Sequence, residues 1–170
     1  MLYHIVAIDK NGGIGKDNSL PWEHNKEDMK LFKDLTLDYT VIMGRNTWES
    51  LPERTVNTVK TKALPKRVNV VVSNSLGSNM VHSMNKYKGV YITKDLSFLN
   101  RKCPLLTDKK FIIGGESLYK QTIDNIDVVY LTKFKEEYDC DTFYPVDKLK
   151  SFKLQEVIKY KTFDLEIYTK

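Results

Sequence analysis

The sequence predicts an α/β fold built on a mainly parallel sheet. Short runs of β-branched residues alternate along the chain with stretches that have helical periodicity. Several of these runs, such as residues 68–72, are apolar on both faces, which is typical of parallel strands covered by helices on both sides. The last two apolar runs lie close together in sequence, which predicts an antiparallel hairpin at one edge of the sheet. At 170 residues, the chain has room for one domain, expected to span residues 1–170.

The predicted elements follow one another in a simple order. Strands are predicted at residues 3–8, 39–43, 68–72, 90–93, 110–113 and 128–132, and the edge hairpin at residues 152–157 and 161–168. Helices are predicted at residues 25–35, near Thr47, at residues 96–100 and at residues 116–126. The segment 52–67 is polar and has five basic residues against one acid, so we expect a long surface loop there.

Composition excludes several classes of protein. Hydrophobic residues make up 41% of the chain and charged residues 29%, values typical of a folded protein and not of a disordered or low-complexity one. No apolar run approaches the roughly 18 to 20 residues that a membrane span requires. The chain reaches core-like sequence by Ile5 without a basic start, so no secretory signal is predicted and a cytoplasmic location is expected.

The basic charge raises the question of a nucleic-acid partner. The net charge is +5 and the pI is near 9.0. The excess is spread evenly, at +2 over residues 1–85 and +3 over residues 86–170. A nucleic-acid-binding surface would concentrate that charge, whereas this modest surplus equally suits an anionic small molecule.

Cysteine and histidine spacing does not favour a metal site. Cys103 and Cys140 lie 37 positions apart, and the histidines His4, His24 and His82 are equally scattered. Neither a zinc-binding pattern nor a disulfide framework is predicted, so the cysteines are expected to be reduced and structural.

Two glycine segments could lie beside a phosphate. The first, residues 12–15, fails the Walker A pattern because Lys10 occupies the first glycine position and Asp17 follows Lys16. It is either a flexible turn or a lid over a pocket. The second, Gly114 and Gly115, lies between an apolar strand and a helix, where a pyrophosphate could approach the backbone. Close packing of helix on strand is the alternative.

Adjacent acids in the first predicted helix differ in their surroundings. Three, four and seven positions after Asp28 the helix carries apolar residues, whereas Glu27 shares a mostly charged face. A carboxylate on the apolar face is costly unless something pairs with it, which marks Asp28 as a candidate functional acid. The alternative is a capping box, with Asn25 as the N-cap and Asp28 as the acid three residues on.

Several segments, taken together and in this order, resemble dihydrofolate reductase. They are GGIGKDNSLPW (12–22), EDMKLFKDLT (27–36), VIMGRNTWESLP (41–52), LPKRVNVVVS (64–73), FIIGGESLYK (111–120), VVYLTK (128–133) and DTFYP (141–145). The resemblance implies a central, mainly parallel sheet of eight strands with about four helices. It also implies that NADPH reduces 7,8-dihydrofolate to tetrahydrofolate, with hydride going to pterin C6 and a proton to N5, in support of one-carbon metabolism and thymidylate synthesis.

The resemblance also assigns the substrate side of the site. Asp28 matches the acid that holds the pterin, Thr132 the hydroxyl that supports it, Leu20 the mobile lid position, and Trp22 a residue that holds a water near the pterin. Arg67 matches the arginine that binds the α-carboxylate of the substrate's glutamate tail, and Lys66 stands where the family usually has glycine. The expected apolar walls are Ile5, Val6, Ala7, Met29, Phe32, Leu51 and Ile113.

On the cofactor side, the resemblance implies three groups of NADPH-binding residues. Those expected around nicotinamide are Ala7, Ile14, Asn18, Ser19, Ile113 and Tyr119. Those expected along the diphosphate are Gly44, Arg45, Asn46, Thr47, Gly114, Gly115, Glu116, Ser117 and Leu118. Ser73, Asn74 and Lys94 are the expected contacts of the 2'-phosphate.

Two alternatives and several expectations about partners remain open from the sequence. A related NADPH-dependent pyrimidine reductase of riboflavin biosynthesis shares the fold but would not need the set Asp28, Phe32 and Arg67. A basic nucleic-acid-binding module is favoured by the pI alone. Dihydrofolate and antifolate inhibitors are the expected ligands of a monomeric enzyme without a metal ion, a membrane or a specific nucleic acid as partner.

Overall fold

A computed structural model describes residues 1–74 and 89–170 of the chain. Its strands are β1 (Leu2–Ile8), β2 (Gly13–Gly15), β3 (Thr40–Gly44), β4 (Arg54–Val56), β5 (Val59–Thr61), β6 (Val68–Val72), β7 (Val90–Thr93), β8 (Lys110–Ile112), β9 (Val128–Phe134), β10 (Thr142–Phe143), β11 (Lys153–Lys159) and β12 (Phe163–Thr169). The α-helices of the described residues are α1 (Lys26–Thr36), α2 (Arg45–Ser50) and α3 (Glu116–Thr122). Short 3-10 segments lie at Ser97–Asn100, Ile123–Asn125 and Val146–Ser151.

Eight of the strands form one sheet in the order β11-β12-β9-β1-β8-β3-β6-β7. The six strands from β9 to β7 pair in parallel, whereas β12 is antiparallel to both β9 and β11. The predicted fold class is therefore confirmed, including the antiparallel hairpin at the C-terminal edge.

The central strands of the sheet are buried on both faces, as the two-sided apolar runs predict, whereas the edge strand β11 is exposed. Side chains alternate along β1, so Tyr3 and Ile5 belong to one buried cluster and Val6 and Ile8 to another. Helices α1 and α2 pack on the first cluster, and Leu118 of α3 is part of the second. Helices α1 and α3 therefore lie on opposite faces of the sheet, with the ends of the parallel strands between them.

Helix α1 begins at the cap that the sequence predicts. The side chain of Asn25 accepts a hydrogen bond from the backbone N–H of Asp28 at 3.0 Å. At the other end, Leu37 N–H bonds Lys33 O, and Asp38 has a φ of 67°, which takes the chain out of the helix. The cap fixes where α1 begins and places Glu27 and Asp28 in its first turn.

The segment predicted as a long surface loop, 52–67, contains a hairpin instead. Strands β4 and β5 pair antiparallel around Asn57 and Thr58, which both have positive φ, at 48° and 68°. Two such residues make the tight turn that fits the twist of a hairpin, but the glycine that normally signals this turn is absent. A further small sheet pairs β2 with β10, which the sequence also did not predict.

Two predicted helices are shorter than expected. The α-helical part of residues 116–126 ends at Thr122 and continues as a 3-10 turn. Residues Ser97–Asn100 form a 3-10 helix and not an α-helix. In the described part of the chain, no helix is long and apolar enough to cross a membrane.

Candidate active site

A cleft of about 1900 Å³ opens where the parallel strands β1, β3, β6, β7 and β8 end. Ligands of open α/β sheets bind in the crevice at the carboxyl ends of the strands, and this cleft occupies that position. Helix α1 forms one wall of the cleft and the first turns of α2 and α3 form the other.

All but one of the predicted site residues line this single cleft. On the substrate side these are Ile5, Val6, Ala7, Leu20, Asp28, Met29, Phe32, Leu51, Arg67, Ile113 and Thr132. On the cofactor side they are Ile14, Asn18, Ser19, Gly44, Arg45, Asn46, Thr47, Ser73, Asn74, Lys94, Gly114, Gly115, Glu116, Ser117, Leu118 and Tyr119. Residues that are far apart in the sequence and were predicted to share a site thus lie together in one cleft, and their contacts with ligands stay predictions.

Trp22 is the predicted residue that does not line the cleft. It is buried against Phe134, with ring centroids 4.7 Å apart, and lies edge-on to Tyr138 at 5.8 Å. The water-holding role stays a prediction.

Asp28 lies on the cleft side of α1, whereas its neighbour Glu27 is exposed. The carboxyl group of Asp28 is hydrogen-bonded to the hydroxyl of Thr132, a buried residue of β9 that lies between Ala7 of β1 and Leu165 of β12. Burial raises the pKa of Asp28 above its ordinary value, and the Thr132 hydrogen bond partly opposes this shift. The backbone N–H of Asp28 bonds the Asn25 cap, while its side chain bonds Thr132 and lines the cleft.

Arg67 lies at the mouth of the substrate side. Its Nε donates to Thr36 Oγ1 at 2.9 Å and its Nη1 to Pro65 O at 3.3 Å, and the guanidinium lies 5.8 Å from the centre of the Phe32 ring. Burial lowers the pKa of Arg67, and the positive charge of Arg54 lowers it further. These contacts orient one edge of the guanidinium, and a carboxylate would relieve the repulsion between the two arginines.

The cofactor side is built from backbone and glycine. Gly44 N–H donates to Gly114 O at 2.8 Å, which joins the end of β3 to the turn before α3. Helices α2 and α3 have Gly44 and Gly115 as N-caps, and neither cap makes a side-chain hydrogen bond. A Cβ on Gly114, which has a φ of 127°, would lie 3.2 Å from Thr47 Oγ1. The two helix starts therefore present a side-chain-free surface with the positive ends of the helices toward the cleft.

Beyond these turns, Ser73, Asn74 and Lys94 lie at the far end of the cofactor side. Strands β6 and β7 are parallel neighbours with Val72 opposite Thr93, so the residues that follow them emerge side by side. Ser73 N–H donates to Thr93 O at 2.9 Å, which fixes this relation, and Lys94 is exposed. A hydroxyl, an amide and an ammonium group placed together suit a phosphate.

The segment 12–22 is held at its base by Asp9, a buried acid that the sequence analysis did not single out. Although burial raises its pKa, backbone N–H groups of Tyr138, Gly13 and Asn11 hold the pKa of Asp9 below its usual value. The β2–β10 pairing adds a second tie, while Leu20 in the same segment is 62% exposed. The segment therefore has a fixed base and an exposed tip beside the cleft, which fits the lid alternative.

Two cleft residues that the sequence analysis missed are Arg54 and Asp95, and Lys66, which it noted only as a departure from the family pattern, also lines the cleft. Arg54 enters the cleft through the β4–β5 hairpin, which was not predicted. Asp95 directly follows Lys94, and this adjacency was the only available signal. Among the residues that the structure describes, no group of three or more His, Cys, Asp or Glu side chains could hold a metal ion.

Comparisons with known proteins agree with this geometry. The family model described as dihydrofolate reductase matches residues 1–168. A dihydrofolate reductase of Schistosoma mansoni is 37% identical over 165 residues, which cover 90% of this chain and 84% of that protein. The Mycoplasma genitalium dihydrofolate reductase is 33% identical over 171 residues and covers 100% of this chain and 98% of its own.

A solved structure shows the same likeness in three dimensions. Dihydrofolate reductase from Enterococcus faecalis, complexed with NADP(H) and the ligand RAB-propyl, has a TM-score of 0.78 and 25% sequence identity, covering 99% of this chain and 95% of its own. The family match spans nearly the whole chain, and two relatives exceed 30% identity over most of their length. This chain belongs to the dihydrofolate reductase family.

Proposed function

We propose that this protein catalyses the NADPH-dependent reduction of 7,8-dihydrofolate to 5,6,7,8-tetrahydrofolate, with Asp28 as the group that binds and polarises the pterin. The observation that carries the proposal is a half-buried carboxylate on the cleft side of α1, supported by the Thr132 hydroxyl and lying among apolar cleft residues. A planar heterocycle with an amidine edge satisfies both oxygens of such a carboxylate through two parallel hydrogen bonds.

The substrate half fits dihydrofolate along its length. Asp28, Phe32 and Arg67 all line this half of the cleft, and the Arg67 guanidinium lies 5.8 Å from the centre of the Phe32 ring. A pterin, a linking aromatic ring and a glutamate carboxylate require these three chemistries in this order. The partly desolvated guanidinium of Arg67 supplies a charged partner for the glutamate α-carboxylate.

The cofactor half fits NADPH. The glycine surface formed by Gly44, Gly114 and Gly115 would hold the diphosphate at the starts of α2 and α3, and Ser73, Asn74 and Lys94 would hold the 2'-phosphate. Tyr119 and Ile14 would border the nicotinamide end. When bound, NADPH supplies the hydride that is transferred to pterin C6.

The protein contributes position, charge and exclusion of water. Ile5, Ala7 and Ile113 form the wall between the two halves, so that two rings stacked there are held face to face. The negative charge of Asp28 favours the protonated pterin that the hydride attacks. Leu20, at the exposed tip of the 12–22 segment, would cover the reacting rings and exclude bulk water.

The proton that N5 acquires is assigned to a water molecule and not to Asp28 directly. Asp28 accepts hydrogen bonds from the amidine edge of the pterin, which lies away from N5. A water admitted beside Leu20 can reach N5, and the charge of Asp28 raises the proton affinity of the ring. Trp22 is proposed to hold this water from the base of the 12–22 segment.

The proposal extends to partners. Antifolates that carry a diaminopyrimidine would bind the same carboxylate. The even distribution of positive charge supports an enzyme without a specific nucleic-acid partner. We also propose that the protein is a cytoplasmic monomer.

Absorbance at 340 nm in the presence of NADPH and dihydrofolate tests the function, with the product identified by chromatography. Oxidation of NADPH with stoichiometric tetrahydrofolate is expected. NADPH oxidation only with a ribosylated diaminopyrimidine as substrate would instead support the pyrimidine reductase of riboflavin biosynthesis. Sequence-specific DNA binding that persists near physiological salt, without any reductase activity, would contradict the enzymatic proposal.

A further inference from the structure

His4 is a buried side chain of β1 that the proposed chemistry does not use. Its ring has no exposed surface, and both nitrogens are hydrogen-bonded: Nδ1 to Tyr144 Oη at 2.8 Å and Nε2 to Thr122 Oγ1 at 2.7 Å. Thr122 lies in the last turn of α3, and Tyr144 lies just after β10. His4 therefore joins three separate segments of the chain.

The direction of each hydrogen bond follows from counting protons. The Thr122 hydroxyl has one proton and donates it to Leu118 O at 2.6 Å, so toward His4 it accepts. Nε2 of His4 must then carry the ring proton. In a neutral imidazole the bare Nδ1 accepts, and the Tyr144 hydroxyl donates to it. The network runs from Tyr144 through His4 and Thr122 to the backbone of α3, with a partner for every donor.

The same ring contacts the wall of the cofactor half. Tyr119 lines the cleft, lies edge-on to His4 with ring centroids 5.0 Å apart, and donates its hydroxyl to Ile5 O at 2.9 Å. Tyr144 is edge-on to both rings, at 5.7 Å from His4 and 5.2 Å from Tyr119. Tyr119 is thus held by the hydrogen bond of its hydroxyl to the backbone of Ile5 and by the contacts of its ring with His4 and Tyr144.

We propose that His4, as the Nε2-protonated neutral tautomer, is a positioning residue for the cofactor half of the cleft: it holds α3, and through it Tyr119, against β1. His4 itself lies outside the cleft and touches no bound ligand. The Tyr144 end of the network is anchored independently, because Tyr144 N–H donates to Gly12 O at 3.0 Å. Loss of either hydroxyl partner leaves a ring nitrogen without a partner and lets the ring, and with it α3, shift.

The inference rests on the proposed function, because one of its readouts is dihydrofolate reduction. Two variants remove one hydroxyl each, Tyr144→Phe and Thr122→Val, and Thr122→Ser keeps the hydroxyl. Tyr168→Phe is the matched control, since the hydroxyl of Tyr168 also makes a hydrogen bond, to Glu166 Oε2 at 2.6 Å, and this bond involves neither His4 nor a residue of α3. A His4→Leu variant that still folds would lack the whole hydrogen-bond network.

Direct NADPH binding by calorimetry is the main measurement, alongside KM and kcat well below each melting temperature. Tyr144→Phe and Thr122→Val are expected to weaken NADPH binding by about tenfold, while the Kd of a diaminopyrimidine antifolate stays within about twofold of the unmodified protein. Thr122→Ser and Tyr168→Phe should bind NADPH as the unmodified protein does. Nitrogen NMR of labelled histidine should show the His4 proton on Nε2.

Three results would overturn the inference. The first is unchanged NADPH affinity in both hydroxyl-deleted variants, whatever happens to their melting temperatures. The second is an equal loss of NADPH and antifolate affinity, which would indicate a general loosening of the fold. The third is a ring proton on Nδ1. If the unmodified protein binds NADPH but does not reduce dihydrofolate, the proposed function is contradicted. The NADPH affinities of the variants would still test the role of His4.

Discussion

The two halves of the cleft each depend on one titratable side chain, half-buried Asp28 in the wall of the substrate half and buried His4 behind the wall of the cofactor half, and the surroundings of the two differ. On the α1 side, the carboxyl group of Asp28 faces the cleft with the Thr132 hydroxyl as its partner. On the α3 side, His4 lies behind the wall with a hydroxyl on each nitrogen. Burial raises the pKa of the first and lowers the pKa of the second to about 3.

The difference shows which half needs its ligand to be complete. A carboxylate has room for about four hydrogen bonds, so Asp28 retains capacity that a ligand can fill. Neutral His4 has one donor and one acceptor, and both are used. The substrate half therefore has a carboxylate with unused hydrogen-bonding capacity that a ligand can fill. In the cofactor half, the hydrogen bonds of His4 are already complete, and we expect this half to bind its ligand through its shape and its backbone groups.

The two pKa shifts have opposite consequences for stability. Because the folded-state pKa of Asp28 is above its unfolded value, ionised Asp28 makes folding less favourable above that range, and the cost disappears as pH falls. The folded-state pKa of His4 is below its unfolded value, so its contribution is present at neutral pH and is lost on acidification.

Removing the negative charge of Asp28 should have the largest effect on catalysis. Asp28→Asn keeps the shape but not the charge that favours a protonated pterin, so we expect kcat/KM at neutral pH to fall about 1000-fold, or about 4 kcal/mol. The residual rate should rise as pH falls, because the variant still uses substrate protonated in solution. The melting temperature should not decrease, since a buried charge has been removed.

Glu27→Gln is the matched control for this prediction, one residue away and exposed. It should leave both the rate and the pH profile unchanged. A fully active Asp28→Asn protein, or a strongly impaired Glu27→Gln protein, would show that α1 does not present Asp28 to the substrate and would remove the contrast between the halves.

The mouth of the substrate half should show the next largest effect. Arg67→Leu removes a guanidinium already oriented by Thr36 and Pro65, so dihydrofolate binding should weaken by about 2 to 3 kcal/mol while NADPH binding is preserved. Separate titrations with each ligand measure this. Lys62→Leu, a basic residue of the same segment outside the cleft, is the control. Unchanged dihydrofolate affinity in Arg67→Leu would place the glutamate tail on Arg54 or Lys66.

Acidification should act mainly through His4. Unfolded histidine has a pKa near 6.5 against about 3 in the folded protein, so between pH 6.5 and pH 3 the unfolded state binds a proton that the folded state does not. The free energy of unfolding should therefore drop by about 2 kcal/mol between pH 7 and pH 5. Urea unfolding across this range measures the slope.

His4→Gln should flatten this pH dependence, whereas His24→Gln, at an exposed histidine, should keep it. Carboxylates contribute little above pH 5 because most have released their protons there. If the free energy of unfolding of His4→Gln still falls between pH 7 and pH 5, another group causes the acid sensitivity. The opposite effects of His4 and Asp28 on stability would then not hold.

The residues of the two halves were predicted from different kinds of sequence evidence. Strands such as β6 and β7 were predicted with the right bounds because they are rich in β-branched residues. The position of Asp28 followed from helical spacing, because Asn25 caps α1 where the pattern begins. The roles of Ser73, Asn74 and Lys94 came only from family resemblance, since three scattered polar residues have no periodicity.

What the sequence did not predict depends on contacts between distant segments. Asp9 accepts a hydrogen bond from the backbone N–H of Tyr138, which is 129 positions away in the sequence, and β2 pairs with β10 across a similar sequence separation. The β4–β5 hairpin turns at Asn57 and Thr58 without a glycine, so Arg54 was not placed in the cleft. His4 was noted only as a scattered histidine, because its partners Thr122 and Tyr144 are remote in sequence.

The smallest expected effect separates charge from shape within the cofactor half. If Lys94 contacts the 2'-phosphate, Lys94→Ala should raise KM for NADPH by about tenfold, or about 1.4 kcal/mol, the range of one partly exposed charged contact. KM for NADH, which lacks that phosphate, should stay the same, as should kcat, since Lys94 is remote from the reacting rings. Lys135→Ala, an exposed lysine outside the cleft, controls for the change in net charge. Equal losses with both cofactors would show that Lys94 supports the fold and not the phosphate. An unchanged NADPH preference would leave that contact to Ser73 and Asn74, and the cofactor half would then bind through backbone and neutral groups throughout.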